Sequence, residues 1–493
     1  MVRSETTTTD HQVVILGAGF SGLGMGVCLK AQGRQDFVIL EKEARLGGTW
    51  RDNNYPGSAC DTESHLYYFS FAPNASASEV YIGHGEILAY AQRLVDENDL
   101  ARHIRYNTEV VRADWVDAAS HWCLTLADGA QVTTRVFIAA WGQLNRPQRP
   151  DFPGSDSFAG VAFHSAEWRH DVSLVGKRVA SIGNAASAIQ YVPQVAQQAG
   201  HLEVYQRSPN WIVPRNNRPY VAHELMAFAK PATLEANRQH LFDWREGSFE
   251  RMRAGSALAR EQEQLAQEHL ANQVADLALR ERLTPTYPLG CKRILRSDDY
   301  YPALTRSNVS LVTQAIERIT PEGIARADGS FSPLDVIIYG TGFETLSFQG
   351  PVEVLGRQGA SLRDDWRGGA RAFLGMTVTG YPNFFMLYGP NTNLGHNTVL
   401  TMIEAQIGYV LQALNALDTL DGSGRAALDV RAGVMNDYND TVQAEFAGSA
   451  WVGDCSSWYK NAAGRVVNNW SGTVREYRDL TRQFVVDHYD VQP

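Results

Sequence analysis

The chain has 493 residues, 44% of them hydrophobic and 20% charged, and a formal net charge of −10 at pH 7. Its length points to two or three domains rather than one core, and its composition excludes a disordered or collagen-like chain. The acidic balance argues against nucleic-acid binding, which needs a basic surface to neutralise phosphates.

The cysteines Cys28, Cys60, Cys123, Cys291 and Cys455 are scattered, without a C-x-x-C pair. Neither a disulfide framework nor a structural zinc site is expected, and no metal site is assigned. No apolar run approaches the roughly 18 residues of a membrane span, and the start lacks the apolar stretch of a secretory signal. A cytoplasmic protein without a membrane partner is the expectation.

In chain order, a polar, threonine-rich start (1–12) reads as a frayed tail. The apolar run Val13-Val14-Ile15-Leu16 reads as a buried strand entering Gly17-Ala18-Gly19-Phe20-Ser21-Gly22. Residues 23–31 read as helix and 36–40 as a second strand closed by Glu41. Residues 135–140 read as strand, and the proline-rich stretch 145–153 as a domain crossing. The unit then recurs: strand 177–182, turn Gly183-Asn184-Ala185-Ala186-Ser187-Ala188, helix, and strand 202–205 ending at Gln206-Arg207. Residues 222–282 are rich in Glu, Gln and Ala and poor in β-branched residues, which predicts a helical insertion. Strand character returns at 309–312 and 336–339, an amphipathic helix is expected over 399–417, and 451–470 reads as an aromatic, ordered surface loop.

The first turn carries the chemistry of dinucleotide binding. Gly17 permits the tight turn, Gly19 lets a pyrophosphate approach the backbone, and Gly22 lets helix and strand pack closely. The helix N-terminus offers amide donors to phosphate. Glu41, roughly 20 residues on, suits a ribose diol and would repel a 2′-phosphate. The second turn keeps Gly183 and Ser187 but has Ala185 and Ala188 at its middle and last positions. Arg207 replaces the acid and suits a 2′-phosphate, hence NADP. Ala185 crowds a pyrophosphate, so a unit that has lost its nucleotide stays open as an alternative. Two such units imply FAD and NADPH as cofactors of a flavin oxidoreductase. The absence of a C-x4-C pair speaks against a disulfide reductase.

The expected fold is therefore α/β, with two Rossmann-like dinucleotide-binding domains, for FAD and NADP, and an inserted helical subdomain. The FAD domain would comprise 1–147 and 334–493, the latter including a C-terminal active-site loop. The NADP domain would comprise 148–221 and 283–333, around the insertion 222–282. The chain would return to the FAD domain near Asp335.

Two stretches are more specific. Gly47-Gly48-Thr49-Trp50-x4-Tyr55-Pro56-Gly57-x3-Asp61 and Phe158-x-Gly160-x3-His164-x3-Trp168 resemble the signatures of Baeyer–Villiger monooxygenases, class B flavoprotein monooxygenases. The resemblance runs from about Gln12 to the C-terminus. It includes Gln206-Arg207-Ser208-Pro209, Gly290-Cys291-Lys292-Arg293, Tyr339-Gly340-Thr341-Gly342-Phe343 and Gly389-Pro390-Asn391-Thr392. Trp168 favours this family over flavin N- and S-oxygenases; Ala185, Trp141 and Arg169 depart from its pattern.

The resemblance implies that NADPH reduces FAD, that O₂ then yields a C4a-peroxyflavin, and that one oxygen enters beside a ketone carbonyl to give an ester or lactone. It makes Arg293 the essential side chain and Asp61 the carboxylate that orients it. Gly48, Thr49, Trp50 and Tyr55 would lie near the flavin. Asn391, Thr392 and Asn397 precede the helix from 399, where an Asn cap would aim the helix terminus at its neighbour, the flavin's pyrimidine edge on this reading, with an ordinary capped helix as the alternative. Lys292 and Ser208 would join Arg207 at the 2′-phosphate, His164 and Trp168 would link the domains during cycling, and 451–470 would close over the substrate. The alternatives are a flavin monooxygenase acting on sulfur or nitrogen, and a flavin- and NADP-binding protein without oxygenation.

Overall fold

The computed structural model describes residues 9–420, 426–455 and 457–492; positions 1–8 of the expected polar tail lie outside them. Apolar runs buried on both faces build two largely parallel sheets, each covered by helices. In the first, His11–Leu16 lies between Phe37–Leu40 and Gln131–Ala139, parallel to both, with Val14 opposite Val38 and Phe137. Ile104–Arg105 extends one side. On the other side His121–Leu126 and Val110–Val116 run antiparallel, and Glu353–Leu355 closes the edge. The second sheet is wholly parallel, in the order Val309–Val312, His201–Tyr205, Arg178–Ile182, Val336–Tyr339, Val161–His164.

Val336–Tyr339 is thus an interior strand of the second sheet. The return to the first domain follows Tyr339 and does not begin near Asp335 as the sequence suggested. Apolar character marks a buried strand but not the sheet it joins. The outgoing and returning segments pair with each other: Pro147 bridges Phe343 antiparallel, and the Gln148 amide donates to the Gly342 carbonyl at 2.9 Å.

The stretch after Val221 is helical: Ala222–Phe228, Pro231–Gly247, Ala257–Gln273 and Leu277–Leu283. Proline opens the second of these, and Ser256 and Asp276 cap the third and fourth by accepting from backbone amides. The helix Val399–Leu420 buries Leu400, Ile403, Ile407, Val410, Leu414 and Leu417. Among the described residues, no helix is long and apolar enough to cross a membrane.

Two expectations change. The segment 451–470 is irregular as expected but anchored inward: Trp451, Tyr459, Val466, Val467 and Trp470 are buried in a cluster shared with Leu66, Phe242 and Tyr477, or in the main core. Cys291 and Cys455 form a disulfide. An odd cysteine count does not forbid one pair, and a separation of 164 residues leaves no spacing signal to read.

Candidate active site

A cleft of ≈ 1290 Å³ lies between the two sheets, larger than the roughly 300–1,000 Å³ typical of small-ligand sites. Both glycine turns open onto it. Gly17 and Gly183 share φ +109°. A Cβ on Gly17 would lie 2.7 Å from the Ala140 carbonyl oxygen, and one on Gly183 2.3 Å from that of Gly340. Each turn is thus wedged against the end of a neighbouring strand, where only glycine fits. Gly19 faces Gly48 across the first turn, so that bare backbone lines both sides. This cradle fits a pyrophosphate.

Glu41 is buried, and its carboxylate accepts from the amides of Ala18 (2.8 Å) and Glu43 (3.0 Å) and from Arg51 (3.0 Å). With about four acceptor positions on a carboxylate, these bonds fix its orientation and leave room for a ribose hydroxyl. The first helix starts at Phe20, three residues after Gly17, and the second at Ala188, five after Gly183. Ala185 stands exposed on the cleft wall.

Arg207, Ser208 and Lys292 converge on the second turn's side of the cleft. Lys292 donates to the Ser208 hydroxyl at 2.6 Å and lies 4.6 Å from the centre of the Tyr287 ring. Burial, and then the charge of Arg207, lower the Lys292 ammonium below its ordinary pKa. Two cations held together with a hydroxyl suit a dianionic phosphate. Lys292→Ala is expected to raise the KM for NADPH about tenfold to a hundredfold, the worth of a charged hydrogen bond, while leaving NADH nearly unaffected. Steady-state kinetics with both coenzymes measures this.

Arg293 grips Asp61 as a fork: Nη2 donates to Oδ1 at 2.8 Å and to Oδ2 at 2.6 Å, and Nε to Oδ2 at 3.1 Å. Burial raises the Asp61 carboxyl, but Arg293, Arg245 and Arg296 together hold it below the usual carboxylate range. Asp61 in turn lifts the Arg293 guanidinium above its ordinary value, against burial. Both stay charged across the neutral range, and the carboxylate fixes the plane of the guanidinium.

Three neighbours were not singled out by the sequence, although Tyr459 lies in the aromatic stretch 451–470. Tyr388 has a left-handed backbone (φ +64°), uncommon for a bulky residue, and donates to Asn393 Oδ1 at 2.7 Å. Tyr459 is pushed up to about 12 by burial, opposed by Arg293, so it remains a hydroxyl donor at neutral pH. Arg245, from the helical insertion, donates to Glu63 (2.6 Å) and to the carbonyls of Asp61 (2.9 Å) and His396 (3.3 Å). The insertion therefore braces the backbone that carries Asp61.

The remaining candidates divide. Thr49, Trp50, Tyr55 and Ser187 line the cleft, and Trp50 donates to Tyr67 at 3.0 Å. Gly22 lies behind the turn, and a Cβ there would fall 1.9 Å from the Gly17 oxygen. Asn391 and Thr392 point away from the cleft: Asn391 ties down the carbonyls of Val466 and Asn469, both at 2.9 Å, and the Thr392 hydroxyl bonds Gly389. Asn393, Leu394 and Asn397 line the wall instead. Neither Asn391 nor Thr392 caps the long helix; Asn397 accepts from the Thr398 amide just ahead of it.

His164 is fully buried, its Nδ1 accepting from the Ala166 amide at 3.1 Å and its ring edge-on to Phe343. Trp168 packs on Tyr55, Phe163 and Tyr191. Both therefore sit where the domains meet. Arg169 pairs with Asp171 on the surface and does not reach the site.

Comparison with known proteins agrees with this geometry. Residues 14–241 match the pyridine nucleotide-disulphide oxidoreductase family. The chain is 40% identical to a Baeyer–Villiger monooxygenase of Streptomyces coelicolor, over 100% of its own length and 94% of the relative's. It is also 40% identical to one of Pseudomonas aeruginosa, over 97% and 91%. Among solved structures, OTEMO complexed with FAD and NADP superposes with a TM-score of 0.87 at 26% identity, covering 98% of this chain and 100% of that one. Cyclohexanone monooxygenase from Rhodococcus sp. Phi1 bound to NADP⁺ does so at 0.88 and 26%, covering 99% and 100%. With two dinucleotide cradles facing one cleft and full-length relatives of this kind, the chain belongs to the FAD- and NADPH-dependent Baeyer–Villiger monooxygenases.

Proposed function

We propose that the chain converts a ketone, O₂, NADPH and a proton into an ester or lactone, NADP⁺ and water, and that Arg293 and Asp61 are the side chains on which oxygenation depends. Bound FAD supplies the redox chemistry, accepting a hydride from NADPH and activating O₂ once reduced. The observation that carries the reading is the forked Arg293–Asp61 pair on the wall of a cleft served by both glycine turns. A guanidinium that cannot lose its proton stabilises negative charge developing on oxygen. Asp61 holds it in one orientation without neutralising its outward donors. Leu394 and Trp458 give the cleft wall an apolar surface suited to the hydrocarbon part of a substrate. Gly17, Gly19, Gly48 and Glu41 hold the flavin nucleotide; Gly183, Arg207, Ser208 and Lys292 hold NADP.

The test supplies flavin-loaded enzyme with NADPH, air and matched panels of ketones and sulfides. Esters or lactones formed in step with NADPH consumption are the expected products. Sulfoxides alone would move the chain to heteroatom oxygenation, and hydrogen peroxide without oxygenated product would overturn the reading.

A further inference from the structure

A smaller pocket of ≈ 70 Å³ adjoins the cleft and shares Asp61, Arg293, Leu394 and Asn397 with it as walls. Its charged and polar walls come chiefly from the helical insertion and the strand after Arg293, with Trp244, Arg245, Arg251, Gln262 and Arg296, and its remaining walls include Val213 and His396. Four guanidinium groups therefore surround a space the size of one small polyatomic ion, against a single lining carboxylate.

The acids around it are already engaged. Asp61 holds Arg293, and Glu63 holds Arg245. Glu246 accepts from Asn397 and from the Arg475 amide and faces His396. Glu261 lies near enough to act on Arg251 through charge but makes no hydrogen bond to it. Among the described residues, neither Arg251 nor Arg296 has a side-chain hydrogen-bond acceptor. Arg251 rests over the Trp244 ring, 5.7 Å from its centre. Gln262 is only 7% exposed and also lacks a partner. Burial, followed by repulsion from Arg296 and Arg245, pulls the Arg251 guanidinium below its ordinary pKa. Like charges held together without acceptors are a standing cost, and one bound anion would relieve it.

We propose that this pocket is an anion subsite that takes a carboxylate carried by the ketone, so that the preferred substrates are oxo acids rather than neutral ketones. The shared walls place such a carboxylate on one side of Arg293–Asp61 while the carbonyl occupies the cleft on the other. In a chain of net charge −10 the recognition is short-range, since salt screens anything beyond about 10 Å. The substrate half of this inference rests on the proposed ketone oxygenation; the anion site does not.

The experiment has two readouts: calorimetry on the FAD- and NADP⁺-loaded enzyme, and steady-state kinetics of the flavin-loaded enzyme with NADPH and air. Calorimetry follows binding of glutarate, which cannot be oxygenated, and of inorganic phosphate. Kinetics compare 4-oxocyclohexanecarboxylate with its uncharged primary amide. The acid is expected to exceed the amide in kcat/KM by about tenfold or more, as a charged hydrogen bond implies. Arg251→Gln should erase that difference and abolish glutarate binding while leaving the amide unchanged, and Arg251→Lys should restore part of the preference.

Equal rates for acid and amide in the wild type, with no glutarate binding, would overturn the anion subsite and leave ketone oxygenation standing. Arg251-dependent glutarate binding with neither this pair nor the wider ketone panel oxidised would support the subsite and overturn the proposed function. Binding of phosphate or glutarate without any preference for the oxo acid would assign the pocket to a free anion and overturn the substrate claim.

Discussion

Arg293→Ala is expected to lower ketone turnover about 10²–10³-fold, the usual cost of removing one preorganised donor from a developing oxyanion. Flavin content should stay near that of the wild type. The first glycine turn, Glu41 and the Gly47-Gly48 backbone lie on a different wall and make no bond to Arg293. The variant also leaves Asp61 without its main partner. Asp61 is held ionised chiefly by Arg293, with Arg245 and Arg296 behind it. Its carboxyl should therefore rise toward, and through burial above, the usual range, and any residual activity should acquire a new acid limb. Arg293→Lys keeps the charge but not the fork, and should recover only part of the loss. Product formation and NADPH consumption, measured across pH, separate these effects. Full ketone turnover in Arg293→Ala would remove the residue from the chemistry.

Gly22→Ala should yield protein that no longer retains its flavin. The added Cβ would sit 1.9 Å from the Gly17 carbonyl oxygen and 3.1 Å from its carbon, both backbone atoms that cannot rotate aside. Either the helix Phe20–Ala31 shifts off the strand His11–Leu16, or the turn opens. Each spoils the cradle formed by Gly17, Gly19 and Gly48. Overpacking of this kind costs about 1–3 kcal/mol or more, so the melting temperature should fall as well. The ratio of flavin to protein absorbance after purification, with a thermal melt, reports both. A fully yellow, equally stable variant would show that the turn adapts.

Much of this architecture was legible because it rests on local rules. Glycines that must adopt φ > 0, apolar runs buried on both faces and the residue type closing each strand are all visible in a short window. Glu41 and Arg207 were singled out in this way, and both line the cleft. What escaped depended on contacts between distant segments. Arg245 is one arginine among many polar residues on an insertion helix, and nothing nearby marks it as the brace of Asp61. Tyr388 looks like a residue ending a strand until its left-handed backbone is seen. Asn391 and Thr392 sit in a recognisable motif, yet Asn391 holds the C-terminal segment and Thr392 its own turn at Gly389, and neither lines the cleft. Sheet membership of Val336–Tyr339 and the pairing of Cys291 with Cys455 likewise follow from tertiary structure alone.

The paired outgoing and returning segments at Pro147 and Phe343 have a mechanical consequence. Two independent tethers would let the domains slide, splay and rotate separately. A hydrogen-bonded ribbon resists shear and stretching and yields mainly by bending and twisting, so this crossing acts as one hinge, while the Cys291–Cys455 bond and the Arg245 brace tie the lobes elsewhere. Contacts that span the lobes, such as Tyr55 with Gln190 and Arg215 with the Cys60 carbonyl, then open or close together. A substitution in the ribbon, whose residues Gln148, Gly342 and Phe343 also line the cleft, should shift these cross-lobe contacts together.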